Sequence, residues 1–156
     1  GWVANWGVLG HVVPAGMELI EKTGLKPEDF SKFAVPQKTG LRPLMTMGKL
    51  DLEMMQVLPF VLTSQIGDCG AAGVLLSLAH ILDFAESGER IGVIDYGCGA
   101  GSDAWSLVCT DLLPERRPTR DLVVECLENK IMVDYATMLK FEGKLMQSPH
   151  RLSNFY

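Results

Sequence analysis

The chain has 156 residues, 47% of them apolar and 21% charged, with a formal net charge of −5. That length supports one domain with a proper core, and the acidic balance argues against a nucleic-acid partner, which needs a basic face. The longest apolar run, Ala71 to Ile81, is broken by Ser77 and His80 and is too short for a membrane span, so a mean hydropathy of +0.16 points to apolar surface buried against another chain.

In chain order, Val8 to Lys22 reads as a helix, with Leu9, Val12, Val13, Met17, Leu19 and Ile20 as its apolar stripe and Gly24 as its stop. Leu25 to Phe30 is a turn with a short helical start, because Pro27 suits a first helical turn and the acids beside it favour a helix N-terminus. Lys32 to Val35 is a short strand stopped by Pro36. Gly40 to Leu50 is helical, with Pro43 in its first turn, and Leu58 to Ile66 is extended and closed by Gly67. Asp68 to Ala85 is the clearest helix. Asp68 is a suitable N-cap, and Leu75, Leu76, Leu78, Ala79, Ile81 and Leu82 make it apolar nearly all round, which predicts burial on most sides. Arg90 to Tyr96 and Ala104 to Thr110 are strands joined by a glycine turn. Pro114 to Pro118 is a charged loop, and Leu122 to Leu145 is helical in at least its second half. The result is one domain over residues 1–146 and a polar tail over 147–156, with α/β order and a closing hairpin.

The glycine turn carries the chemistry. Gly97, Gly99 and Gly101 are spaced by one residue and followed by Ser102 and Asp103. Glycines at that density allow positive φ and a close approach of the backbone to a ligand, so the turn can aim N–H groups at an anion or a developing oxyanion. Two families have a strand running into glycines of this kind. Val93-Ile-Asp-Tyr-Gly-Cys-Gly-Ala-Gly101 resembles the first motif of S-adenosylmethionine-dependent methyltransferases. In those a helix follows, whereas here Trp105, Leu107, Val108, Cys109 and Thr110 favour a strand. Too little chain remains for a doubly wound sheet, at roughly 30 or more residues per βαβ unit.

The second resemblance covers His11 to Leu145. Leu25-Lys-Pro-Glu-Asp-Phe30, Ile66-Gly-Asp-Cys-Gly-Ala-Ala-Gly73, Leu78-Ala-His-Ile-Leu-Asp83, Gly88-Glu-Arg90, Tyr96-Gly-Cys-Gly-Ala-Gly-Ser-Asp-Ala104 and the stretch Lys130 to Lys140 follow one another in the order and spacing of one family. The chain resembles the C-terminal half of archaeal-type 3-hydroxy-3-methylglutaryl-CoA synthases, within the thiolase superfamily. The resemblance implies a thiolase-like half: a mixed β-sheet flanked by helices, with Asp68 to Ala85 as an apolar central helix that a companion half covers. It also implies Claisen-type chemistry on acyl-CoA as substrate, with no covalently bound cofactor and no metal. In the family an N-terminal-half cysteine takes the acyl group, a His and an Asn assist, and the glycine turn lines the thioester pocket.

This chain departs from that pattern. It has no counterpart of the nucleophile-bearing half. The family's His-Gln-Pro-Asn falls on Pro36-Gln37-Lys38-Thr39, and proline cannot shuttle a proton. The family's Asn falls on Asp68. One reading is a degenerate subunit that completes the fold or acyl-CoA pocket of a partner carrying the Cys and His. A zinc-ribbon/OB-fold protein is a second implied partner. The other reading keeps a modified reaction with Asp68 or Asp95 as base; Asp95 lies two residues before Gly97, where thiolases place a second catalytic cysteine. The site expected from the resemblance is Gly67, Asp68, Asp95, Gly97, Cys98, Gly99, Gly101 and Ser102.

The remaining residues have plainer readings. Cys69, Cys98, Cys109 and Cys126 form no CxxC pair, and no basic segment precedes an apolar run at the N-terminus, so reduced thiols in a cytoplasmic protein are expected. Cys109 and Cys126 read as buried, His11 as a core or interface histidine, and His80 as bonded to a main-chain carbonyl. Asp103 is expected to fix the turn by bonding its N–H groups. Met45, Met47, Met54 and Met55 suit core filling or a pocket mouth.

Overall fold

The computed structural model describes residues 6, 9–97, 101–119 and 122–145. It contains a three-stranded mixed sheet of β1 (Lys32–Ala34), β2 (Arg90–Ile94) and β3 (Ala104–Val108), in the order β1-β2-β3. β1 and β2 are parallel, with Phe33 opposite Gly92, and β2 and β3 are antiparallel, with Val93 opposite Trp105. Side chains alternate across β2. Ile94 enters one core cluster with Val12, Val13, Phe30 and Phe33, whereas Ile91 and Val93 enter a second with Ala34, Val74 and Ile81. The sheet is therefore sandwiched by α1 (Gly10–Thr23) and α2 (Leu41–Leu50) on one face and α5 (Ala72–Phe84) on the other. This is the mixed sheet flanked by helices that the sequence predicts.

Most elements follow their sequence signals. α1 ends on Gly24 in the left-handed region, with its N–H on the Glu21 carbonyl, and Pro27–Asp29 forms the expected single helical turn. Three elements differ. Leu58 to Ile66 is not extended: it forms a turn at Leu58–Phe60 and the short α4 (Thr63–Ile66), after α3 (Met54–Val57). The reason is tertiary, because the Gln37 side chain accepts the N–H groups of Leu62 and Thr63 that a strand would have given to a neighbour. Within 114–118, a short helix, α6 (Leu113–Arg116), replaces the expected loop. The closing helix is split into α7 (Val123–Glu128) and α8 (Tyr135–Phe141). The tail 147–156 lies outside the described residues.

α5 is shorter than predicted. Its first residue is Ala72, and Asp68 does not cap it. Gly67 (φ +77) and Gly70 (φ +58) turn the chain out of helical geometry before the helix begins. At the other end, Arg117 bonds the carbonyls of Leu82 and Ala85, and Asp83 accepts the Val123 N–H at 2.7 Å. α5 is also less covered than its composition predicts. Val74, Ser77 and Ile81 face the sheet, but Ala72, Leu75 and Ala79 form an apolar stripe that is exposed, Leu75 by 60%. On the same side of the sheet, Trp105 and Leu107 of β3 are also exposed. No helix among the described residues is long and apolar enough to cross a membrane.

Candidate functional site

Because β1 and β2 are parallel, the segments that follow them leave from one end of the sheet. The chain after β1 reaches Pro36 and Gln37 there, and the chain after β2 reaches Asp95, Tyr96 and Gly97. The start of α5 is tied to the same end, since the Gln37 amide donates to the Gly73 carbonyl at 3.0 Å. Topology thus gathers the Pro36 loop, the α5 N-terminus and the glycine turn at one edge. Open α/β sheets characteristically bind ligands beyond the carboxyl ends of their strands.

The glycine turn closes the β2–β3 hairpin. The Gly97 N–H donates to the Gly101 carbonyl at 2.9 Å, the Asp95 N–H to the Asp103 carbonyl at 2.8 Å, and the Ser102 hydroxyl to the Asp95 carbonyl. Gly97 and Gly101 do not sit at positive φ, contrary to expectation. Their openness is steric instead: a Cβ built on either would meet nothing within 4 Å. Cys98 and Gly99, at the tip, lie outside the described residues. Asp103 braces the turn through its main-chain carbonyl. On the α1 side, Ser102 and Asp103 face Glu18 and Lys22 across a shallow cleft. Lys22 is paired with Glu18 at 2.6 Å, and that hydrogen bond and charge raise its pKa.

The two carboxylates proposed as bases are engaged locally. Asp95 is half-buried, and its Oδ1 accepts the Tyr96 N–H at 2.7 Å. Asp68 is exposed, and its Oδ1 accepts the Gly70 N–H at 2.9 Å. Among the described residues no hydrogen bond links Gly67 and Asp68 to Asp95, Gly97, Gly101 or Ser102. His11 stacks on Tyr96 with ring centroids 6.3 Å apart, so it lies beside the entry to the turn.

Gln37 was not singled out by its sequence, yet it organises this edge. It is buried; its Oε1 accepts from Leu62 and Thr63, its Nε2 donates to Gly73, and its own carbonyl accepts the Thr63 hydroxyl. The available signal was a neutral polar residue directly after the apolar strand end Phe33-Ala-Val-Pro36. His80 is not bonded to a carbonyl as expected. Its Nδ1 is buried with no hydrogen-bond partner, 3.9 Å from Asp83 Oδ2, and its ring meets Phe60 and Phe84 edge-on. Cys109 is buried, and burial first, then the Glu89 charge, pushes its thiol pKa up. Cys69 is half-buried, whereas Cys126 is exposed and not buried as expected. Met47 fills the core, while Met45, Met54 and Met55 are exposed.

No protein-family model matches the chain. The hydroxymethylglutaryl-CoA synthase of Methanothermobacter thermautotrophicus is 43% identical over 135 residues, which are 86% of this chain and 39% of that protein. The hydroxymethylglutaryl-CoA synthase of Aeropyrum pernix is 40% identical over 146 residues, 94% of this chain and 40% of that protein. The chain thus spans about two fifths of the length of the curated relatives it matches. Among solved structures, 3-oxoacyl-(acyl carrier protein) synthase III, FabH, of Pseudomonas aeruginosa PAO1 superposes with a TM-score of 0.57 at 19% identity, over 70% of this chain and 33% of that one. The methyltransferase alternative fails on topology, because the strand after the glycine turn runs antiparallel to the one before it where a helix and parallel strand are required. Together, the sheet with its closing glycine hairpin and these likenesses show a thiolase-like fold in a chain similar to hydroxymethylglutaryl-CoA synthase over about two fifths of that enzyme's length.

Proposed function

We propose that the chain is one lobe of an acyl-CoA-condensing assembly of the hydroxymethylglutaryl-CoA synthase type, and that it shapes the acyl-thioester pocket while a companion lobe supplies the nucleophilic Cys and the proton-transferring His. The observation that carries this is the apolar stripe Ala72, Leu75 and Ala79 on α5, left open beside Trp105 and Leu107. A face of that kind is normally covered, and relatives more than twice as long have the chain to cover it.

The edge built by Gln37, the α5 N-terminus and the glycine turn is the part of the pocket this chain contributes. No side chain stands over Gly97 or Gly101, so a thioester can approach the main chain of the turn closely there. Proton transfer is left to the partner. Pro36 occupies the His position, and the carboxylates of Asp68 and Asp95 are already used as acceptors for neighbouring N–H groups. A missing general base costs roughly 100-fold or more, so the chain alone should turn over acyl-CoA at least about 100-fold more slowly than the assembly.

Gly101→Val tests the reading. The new side chain meets open space and needs no positive φ, so the fold holds. In the assembled protein, condensation of acyl-CoA, followed by release of free CoA, should fall while the melting temperature stays put. Unchanged turnover in this variant would remove the glycine turn from the site and the pocket role with it.

A further inference from the structure

After α7 the chain runs through Ile131, Met132 and Val133 without regular structure, and then forms α8. α8 has seven residues, and isolated helices shorter than about 12–15 residues are marginal in water. It is nevertheless capped at both ends. The Asp134 side chain accepts the Thr137 N–H at 2.8 Å, and that main-chain bond, with the Thr137 hydroxyl, lowers its pKa. At the other end Gly143 takes φ +65, its N–H reaches the Lys140 carbonyl at 3.1 Å, and the Lys144 N–H reaches the Leu139 carbonyl at 2.9 Å. These two bonds form a complete Schellman motif. α8 packs substantially on no other element among the described residues and belongs to neither core cluster. Large apolar groups are displayed on α8 and on the stretch leading into it: Tyr135 is 72% exposed and Phe141 79% on the helix, and Ile131 87% and Met132 83% before it. A locally pre-ordered helix with an uncovered apolar surface is a binding element, since little ordering entropy is left for association to overcome.

We infer that residues 131–141 form a second docking element for the companion lobe, separate from the α5 stripe. The proposal rests on the companion-lobe reading above and adds where the lobe is gripped. The occupant follows from the relatives. The Aeropyrum match leaves ten residues of this chain outside it, so residues 11–146 fall inside whichever end those ten occupy. The segment equivalent to α8 therefore exists in proteins whose remaining three fifths can cover it. A single lobe that covers both α5 and α8 accounts for both open surfaces.

The test fuses this full chain to the part of the Aeropyrum synthase that lies outside the match, so that the companion lobe is present at fixed stoichiometry. Three chains are compared by thermal melting and amide hydrogen exchange: unmodified, Leu75→Ser, and Tyr135→Ser combined with Phe141→Ser. Each is also made without the fused lobe. Exchange at residues 136–141 should slow by about tenfold or more in the fusion. The α8 double variant should lose that protection and lower the melting temperature of the fusion, yet leave the unfused chain unchanged, because both side chains are exposed in it. Leu75→Ser separates the two claims. If it destabilises the fusion while the α8 amides exchange as in the unfused chain, the docking role of α8 is wrong and the companion-lobe reading survives. If neither variant affects the fusion, both are wrong.

Discussion

Replacing Gln37 removes the side chain that joins three segments at the functional edge. Its amide accepts the N–H groups of Leu62 and Thr63 and donates to the buried Gly73 carbonyl. Gln37→Met keeps length and volume but makes none of these bonds. It strands the Leu62 N–H in the core, where Leu62 is 1% exposed. The Gly73 carbonyl lies within α5, where the helical ladder still offers it a donor, and the half-buried Thr63 can turn to water. One buried orphan gives a loss of about 1–3 kcal/mol. That is a sizeable share of the roughly 5–15 kcal/mol by which domains are stable, and it corresponds to about 2–12 °C in melting temperature for a chain of this size. Urea unfolding measures the loss, and hydrogen exchange at Leu62 and Thr63 locates it, with both amides exchanging faster. Gln37→Ala should cost more, because it adds a cavity. A methionine variant within about 0.5 kcal/mol of the parent would show that the network contributes little and that the edge is held by packing.

Two further outcomes test the sheet. A Cβ at Gly92 would lie 2.0 Å from Phe33 Cε1, so Gly92→Ala should destabilise by about 1–3 kcal/mol or more through overpacking; Phe33→Leu should recover part of that in a double-mutant cycle, and simple additivity would refute the steric account. Burial pushes the Glu89 pKa up, but its bonds to Lys32 and the Glu86 N–H and the Lys32 charge outweigh that, leaving it below the usual 4.5. A lowered folded-state pKa gives stability that is present above 4.5 and lost as pH falls through the folded value. Denaturation midpoints measured on acidification should therefore decline less steeply for Glu89→Gln than for the parent.

Sequence alone determined what is local. The stripe of α1 and its Gly24 stop, the Pro27 turn, strands β1 and β2 and the glycine hairpin all follow from periodicity, capping and turn chemistry acting within a few residues. The order of the matched segments likewise carries the resemblance to the thiolase superfamily. What depended on distant partners was not legible. Leu58 to Ile66 has the composition of a strand, but a glutamine 25 residues earlier takes its N–H groups and it coils. Asp68 has the identity of an N-cap, but Gly67 and Gly70 turn the chain away from the helix axis before α5 starts. The apolar girdle of α5 predicted burial on most sides, and only the tertiary structure showed which side its own sheet covers and which is left open. Local rules act through bonds a few residues long, whereas the choice of hydrogen-bond partner and the direction a helix faces are settled by whatever surfaces meet when the chain folds.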